Sequence, residues 1–184
     1  ILNQAKFNLT KNIADCLYTG ILTDTGSFKF SCTTKNTHIS AGDLISKGVN
    51  ATKINNLIYN NYSHDRIKLL GHCLINKLKI YNNSSAIISL SEDELKKFNF
   101  KKGDTEGIIN YALSIKEVIF AVFIVEKDNI VKLSFRSLGN INVQDISKRY
   151  FGGGGHFNAA GAKSDLSLEK TIKKVENIIK NEFS

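Results

Sequence analysis

The segment Gly152–His156, four consecutive glycines followed by a histidine, is the part of the sequence most suited to binding or catalysis. Ordering so many glycines costs conformational entropy, so a folded protein needs a reason to keep them. Bare backbone lets N–H groups converge on an anion, and the imidazole of His156 can add a donor or move a proton. A turn leading into a tightly packed strand is the structural alternative. We interpret the segment as a phosphate-binding loop.

A second candidate is Arg136, which lies in the motif SFRS at the end of a predicted strand. A guanidinium at a strand end can hold a phosphate with two parallel hydrogen bonds, which lysine cannot do. An exposed strand charge is the alternative, and it would contribute little. The glycine loop that follows in the sequence favours phosphate binding.

The third candidate, Asp24, follows an apolar pair within TDTGSF. A carboxylate at the end of a buried strand or helix is where hard divalent cations are commonly held. On this segment alone, a turn-stabilising aspartate that leads into Gly26 is an equal alternative. His38 lies nearby in the sequence, and we interpret it as a structural residue.

Other polar residues receive structural interpretations. Asp104 and Glu106 fit the first turn of a helix, although a ribose or base contact is an alternative. His64 and His72 lie singly in helical segments and are read as structural. The cysteines Cys16, Cys32 and Cys73 are widely spaced and odd in number, which predicts reduced, mostly buried thiols in a cytoplasmic protein rather than a disulfide framework.

Composition narrows the class of ligand. The 184 residues carry a net charge of +8 and are 42% hydrophobic, which fits a folded protein that attracts phosphate-bearing partners. No dense basic stripe with interleaved aromatic residues is present, so we expect short rather than long nucleic acid. No apolar run approaches the roughly 20 residues of a membrane-spanning helix, and no membrane association is predicted.

The elements that must position these residues follow from periodicity. Residues 11–20, 37–49, 50–60 and 65–81 have helical patterns, and a short strand is predicted through Phe28 and Phe30. Further along, a strand at 86–90 precedes a helix at 91–98 that a capping box of Ser91 and Glu94 begins. The remaining predictions are a helix at 104–114, a hairpin of 118–125 with 130–135, and helices at 143–150 and 168–183.

Four stretches in the same order carry a family resemblance: LYTGILTDTGSFKFSCTT, GDTEGIINYALSI, SFRS and FGGGGHFNAAGA. With them the chain resembles the DHH phosphoesterases that carry a DHH-associated (DHHA1) domain. The resemblance is particularly to the nanoRNases, the branch that degrades short oligoribonucleotides and dephosphorylates adenosine 3′,5′-bisphosphate (pAp). The resemblance implies an α/β fold in three parts: the end of a DHH metal domain at 1–45, a helical linker at 46–83, and a compact mixed-sheet DHHA1 domain at 84–184.

The resemblance also assigns roles to residues. Asp24 matches the aspartate of the last metal motif, which makes it an expected metal ligand and catalytic residue. Arg136 and the loop Gly153, Gly154 and Gly155 match the substrate grip. His156 is expected to bind substrate and to take part in catalysis, and Asn158 joins the substrate-binding set.

The chain departs from the family in one large respect, since the earlier metal motifs, including the Asp-His-His that names the family, are absent. Two manganese ions serve each site in that family, and Asp24 alone cannot hold them. We expect the other motifs to lie upstream of Ile1 in a longer protein. Residues 1–184 alone should therefore bind substrate weakly and hydrolyse nothing efficiently, and full manganese-dependent activity of this fragment would refute the idea.

Several alternatives stay open at this stage. A cyclic-dinucleotide or linear-dinucleotide phosphodiesterase and a polyphosphate phosphatase are related enzymes, and a non-catalytic nucleotide-binding module belongs to another class. The expected partners are short oligoribonucleotides or small nucleotides in the cytoplasm. The choice between manganese and magnesium, and the presence of a homodimer, are left undecided by the residues.

Overall fold

The structure, a computed structural model, describes residues 9–183 and divides into two compact units. The first unit runs to Tyr62 and the second begins at Ser63. Residues 63–83, which the sequence suggested as the end of a linker, therefore belong to the second unit. They do so because 79–81 form a strand that pairs with the rest of the sheet.

Three helices build the first unit: α1 Lys11–Asp24, α2 Lys35–Ser46 and α3 Ala51–Tyr59. Helix α2 begins with a capping box between Thr34 and Thr37, and Asn50 caps α3. The apolar faces of the three helices share one core, made of Ala14, Tyr18, Leu22, Ala41, Leu44, Val49 and Ile54.

Two predictions for the first unit are wrong. Helix α1 does not stop at Gly20 but continues to Asp24, because Leu22 completes the buried face that Ala14 and Tyr18 begin eight and four residues earlier. The strand through Phe28 and Phe30 does not form. Residues 25–32 make turns instead, and Phe28 has a φ of 67°, which no strand accommodates.

The second unit is built on a mixed six-stranded sheet. Its strands are β1 Lys79–Tyr81, β2 Ser85–Leu90, β3 Phe120–Lys127, β4 Ile130–Ser137, β5 Gly154–His156 and β6 Ala159–Ser164. The order across the sheet is β1-β2-β3-β4-β6-β5, and only β2 and β3 run parallel. The predicted mixed α/β fold is confirmed in this unit.

Helices cover the two faces of this sheet unequally. The helical segments are α4 His64–His72, a π-helical turn Cys73–Lys77, α5 Glu92–Lys97, α6 Ile108–Ala112, α7 Val143–Phe151 and α8 Leu168–Glu182. On one face, residues of β2, β3, β4 and β6 form a core with α7 and α8. On the other face, α4, the π-turn, α5 and α6 pack mainly on β2 and β3, and the buried core there includes no residue of β4, β5 or β6 among residues 9–183. Helix α6 also contacts β4, but the β4, β6 and β5 part of this face contributes nothing to the buried core among residues 9–183.

Most local predictions for the second unit hold. The hairpin of β3 and β4 is confirmed, and its two-residue turn places Asp128 and Asn129 at φ values of 53° and 57°, as a type I′ turn requires. The capping box of Ser91 and Glu94 is present. The predicted helix at 104–114 is shorter, because 104–107 form turns and only Ile108–Ala112 is helical.

The predicted helix at 65–81 is wrong in its last part. Its α-helical hydrogen bonding ends at His72, a π-turn follows, and 79–81 become a strand, because pairing with β2 satisfies this backbone better than another helical turn. The thiols also differ from expectation, since Cys73 is buried but Cys16 and Cys32 are exposed. None of the helices in residues 9–183 combines the length and apolar character needed to span a bilayer.

The carboxylate of Glu94 on α5 bonds to His72 at the end of α4 and to Lys77 in the π-turn. Burial alone would raise the pKa of Glu94, but hydrogen bonds from the Ser91 N–H, His72 and Lys77 outweigh it and lower this pKa to about 2. Asn76 donates to the other ring nitrogen of His72 and fixes its orientation. The cluster therefore gives His72 the structural role that the sequence suggested.

Replacing Glu94 with glutamine should lower the free energy of unfolding by roughly 1–3 kcal/mol at pH 7. Because the folded-state pKa of Glu94 is depressed, its contribution is present above about pH 4.5 and is lost as the pH falls towards 2. Urea unfolding of both proteins at pH 7 and pH 3 measures this, and Glu169→Gln, which breaks an exposed pair, is the matched control. An equal effect of the two substitutions would contradict the prediction.

Candidate functional site

Two of the residues that the sequence singled out share one row of the sheet. Arg136 on β4 is paired in register with Ala159 on β6, and Ala159 is paired with His156 on β5. Register partners on adjacent strands project to the same face. Since strands lie about 4.8 Å apart, the Arg136 and His156 backbones are separated by roughly 10 Å. The small side chain of Ala159 forms the floor between them.

This row lies on the face of β4, β6 and β5 that contributes no residue to the second buried core among residues 9–183. Phe135 precedes Arg136 and pairs with Ala160, and both of these residues point into the core beneath α7 and α8. Arg136 therefore points to the opposite face, and His156 is exposed there. We call this surface of β4, β6 and β5 the open face. Its members in successive rows are Arg136, Ala159 and His156; Ser134, Gly161 and Gly154; and Lys132 with Lys163.

Arg136 is a half-buried cation without an acidic partner. Burial lowers the pKa of its guanidinium, and no residue among 9–183 places a carboxylate within ion-pair distance of it. One nitrogen, Nη1, donates to the carbonyl oxygen of Phe135 at 2.9 Å. A guanidinium has five N–H donors, so most remain for a ligand. An anion on the open face would offset the desolvation of this charge.

Three of the four consecutive glycines are required by the fold itself. Gly152 ends α7 with a φ of 63°, the left-handed conformation common at helix ends. A Cβ on Gly153 would overlap the Ser147 hydroxyl and the Gly161 carbonyl oxygen. Gly155 has a φ of 147°, and a Cβ there would overlap the backbone of β6.

The expected nest of converging N–H groups is not what the loop forms. The N–H groups of Gly152 and Gly153 donate to the carbonyls of Lys148 and Ser147, which closes helix α7. Gly154–His156 then pair with β6 as an edge strand. The backbone satisfies its own hydrogen bonds first, since orphaned N–H groups are costly. The loop serves the site by placing His156, not by cradling an anion with all of its amides.

Gly154 differs from its three neighbours. A Cβ on it would meet no atom within 4 Å, and its φ lies outside the left-handed range. Its partner in the sheet, Gly161, would also tolerate a Cβ, whose nearest contact would be a carbonyl oxygen at 3.5 Å. The fold does not explain the missing side chains at these two positions. Their effect is a flat floor in the middle of the open face.

The turn of the β5–β6 hairpin is held by the segment that follows Arg136. The side-chain amide nitrogen of Asn158 donates to the Ser137 hydroxyl at 2.9 Å and to the Gly139 carbonyl at 3.1 Å. The backbone adds a bond from the Ser137 N–H to the Asn158 carbonyl. Asn158, predicted as a substrate contact, thus commits its NH₂ group to positioning the hairpin. These bonds tie the turn after His156 to the segment after Arg136.

Asp24 lies in the other unit, as the last residue of α1. This is the helix-end placement that the sequence allowed. The Cys32 thiol donates weakly to the Asp24 backbone carbonyl at 3.8 Å. No group of three or more histidine, cysteine or acidic side chains able to hold a metal occurs within the described residues. Asp24 can supply one ligand, and the donors of 9–183 do not fit a two-metal site.

The sequence reading missed Lys132 and Lys163, which are exposed register partners on the open face. They border a hollow of about 760 Å³ whose wall includes Gly152, Gly153 and Gly154. Polar and apolar residues alternate along 130–137, which places Lys132 and Arg136 on the same side of the strand. This pattern could have indicated Lys132 from the sequence. Lys163 could not be added without knowing which strand pairs with which.

Comparison with known proteins adds family information to this geometry. A family model described as the DHHA1 domain matches residues 79–181, which include every strand of the sheet. The match therefore contains both Arg136 and His156.

Two curated relatives are similar along most of the chain. One is a probable bifunctional oligoribonuclease and PAP phosphatase NrnA of Streptococcus mutans, 32% identical over 96% of this chain and 57% of its own length. Another is the bifunctional oligoribonuclease and PAP phosphatase NrnA of Bacillus subtilis, 30% identical over 85% of this chain and 49% of its own length. The chain thus spans about half the length of the curated relatives that it matches.

A solved structure is similar as well. The crystal structure of an exopolyphosphatase-related protein from Bacteroides fragilis superposes with a TM-score of 0.89 at 38% identity. The superposition covers 94% of this chain and 51% of that one.

Proposed function

The chain belongs to the DHHA1 domain family, and from this membership we propose that it is the substrate-binding part of a metal-dependent phosphoesterase for short oligoribonucleotides and pAp. The relatives' names supply the substrate class, since both are described as oligoribonuclease and PAP phosphatase.

One observation carries the proposal: a half-buried arginine without an acidic partner faces a histidine across a floor of alanine and glycine. A cation in this position fits a bound anion better than it fits solvent, because its desolvation is otherwise uncompensated. The gap of two strand spacings has the width for a phosphate between Arg136 and His156. The small side chain of Ala159 lets the phosphate lie against the sheet, and Gly154 in the adjacent row leaves space beside it.

Each residue has a separate task in this proposal. Arg136 holds two oxygens of the terminal phosphate through its remaining N–H groups. His156 donates a hydrogen bond from the other side and is positioned to give or take a proton at a phosphate oxygen. Asn158 positions this pair through the hairpin turn. Together they orient the phosphate and restrict the geometry of attack.

A divalent cation, with manganese favoured by the family resemblance, belongs to the proposed reaction. When bound, such a cation activates water and offsets charge on the phosphate. Within residues 9–183 only Asp24 is proposed as a ligand, and the donor set there does not complete a site. No step of the binding mechanism above depends on the cation.

Replacing His156 with alanine tests the site directly. We expect the affinity of residues 1–184 for pAp to fall about 5- to 10-fold, because one charge-assisted or neutral hydrogen bond is lost. His64→Ala, which removes an exposed imidazole from the same unit, is the control and should change nothing. NMR titration with pAp, the dinucleotide pApA and tripolyphosphate measures the affinities and ranks the three ligand classes. Equal affinities of the two variants would contradict the proposed site.

A further inference from the structure

The open face carries a second basic position that the proposed phosphate grip does not use. Lys132 on β4 and Lys163 on β6 are direct register partners and project to the same side of the sheet. Like charges placed directly opposite each other on neighbouring strands repel and destabilise the pairing. Within 9–183 neither ammonium group lies within ion-pair distance of a carboxylate. The pair therefore lacks an internal counter-charge.

The surroundings of this pair have room for a ligand. The hollow of about 760 Å³ is lined by Lys132, Lys163, Ser134, Gly154 and Gly161, among others, and Phe151 borders it from the end of α7. The hollow exists because β5 pairs with β6 only up to Gly161, so the rest of β6 is a free edge. Asp165 is the acidic residue in the wall, and it is exposed.

The distance between the lysine pair and Arg136 limits which phosphates of one ligand can reach both. Lys132 precedes Arg136 by four residues on one strand, which corresponds to about 13 Å at the rise of an antiparallel strand. This exceeds the distance between the phosphates of a single bisphosphorylated nucleoside. The distance fits the first and third of three successive phosphates along one nucleotide strand.

We propose that Lys132 and Lys163 form a second phosphate subsite on the open face, which binds an internal or distal phosphate of an oligonucleotide whose terminal phosphate lies at Arg136 and His156. This inference rests on the proposed function of the first site. It makes the chain favour a trinucleotide with three phosphates over pAp. The selection requires no sequence readout, since lysines contact phosphates and not base edges.

The double variant Lys132→Gln/Lys163→Gln tests the subsite. We expect its affinity for the 5′-phosphorylated trinucleotide pApApA to fall about tenfold, while its affinity for pAp stays within twofold. The plot of log affinity for pApApA against log salt should become shallower by about 0.7, since one phosphate contact of a single strand is lost. NMR titration at several salt concentrations supplies both quantities.

Lys148→Gln/Lys170→Gln is the matched control, because it removes the same charge from α7 and α8, which cover the opposite face. If both double variants weaken pApApA equally, the effect is general attraction and the subsite is overturned. The same holds if the pair at 132 and 163 affects pAp as much as pApApA. Failure of the first site is a different result: Arg136→Ala would then leave pAp binding unchanged.

Discussion

Arg136→Ala should produce the largest loss of ligand affinity of any single substitution on the open face. We expect binding of pAp by residues 1–184 to weaken about 30- to 100-fold, which corresponds to roughly 2–3 kcal/mol for a charge-assisted, two-pronged contact. Arg136→Lys should restore only part of the affinity, because an ammonium group keeps the charge but cannot match two phosphate oxygens at once. NMR titration of the three proteins gives the series.

The same substitution should leave the fold intact. Arg136 has no acidic partner within 9–183, and its burial already opposes the charged form, so alanine should change the free energy of unfolding by only a few tenths of a kcal/mol. Arg149→Ala is the matched control on α7, because it removes an arginine that pairs with Asp145 and Glu182 away from the open face. A large loss of stability in Arg136→Ala, with unchanged ligand affinity, would make Arg136 a structural residue.

The second large effect is on the free energy of unfolding, and it should differ between alanine substitutions at two neighbouring glycines. Gly153→Ala should lower the free energy of unfolding of the second unit by about 3 kcal/mol, because the new Cβ would overlap the Ser147 hydroxyl and the Gly161 carbonyl. Both neighbours are fixed, since Ser147 is buried and donates to that same carbonyl at 2.9 Å. Urea unfolding followed by circular dichroism measures the loss.

Gly154→Ala is the internal comparison, with the same chemical change one residue away. Its Cβ meets no atom within 4 Å, so stability should stay within about 0.5 kcal/mol of the parent value. Affinity for pAp should nevertheless fall, because a nucleotide whose phosphate lies between Arg136 and His156 would extend over the adjacent row, where the methyl group would stand. If Gly154→Ala binds pAp as the parent does, the ligand does not lie over this row of the sheet.

Local sequence rules anticipated much of the second unit, where short-range chemistry decides. The polar segment Lys127-Asp128-Asn129 between two predicted strands indicated the hairpin, and Ser91 with Glu94 indicated the start of α5. The same rules failed where packing at a distance prevailed. Gly20 stays helical because Leu22 belongs to a core face, and 79–81 leave the helix because β2 offers a pairing partner.

The site divides in the same way between sequence and structure. Sequence alone supplied Arg136, His156 and the glycines, because their residue types limit what they can do. For the glycines the structure adds a reason that the sequence did not indicate, since most of them close a helix or fit against β6. The assignment of Asn158 to substrate stays a prediction, and the structure adds that its amide nitrogen holds the hairpin turn.

What the sequence determined by itself was therefore the chemistry available: an arginine at a strand end, a histidine after glycines and an isolated aspartate. The tertiary structure decided which of these meet. The register of β4, β6 and β5 brings Arg136 and His156 to one row, and it sets Lys132 opposite Lys163. Register depends on hydrogen bonds and packing between segments far apart in the chain, which no local pattern encodes.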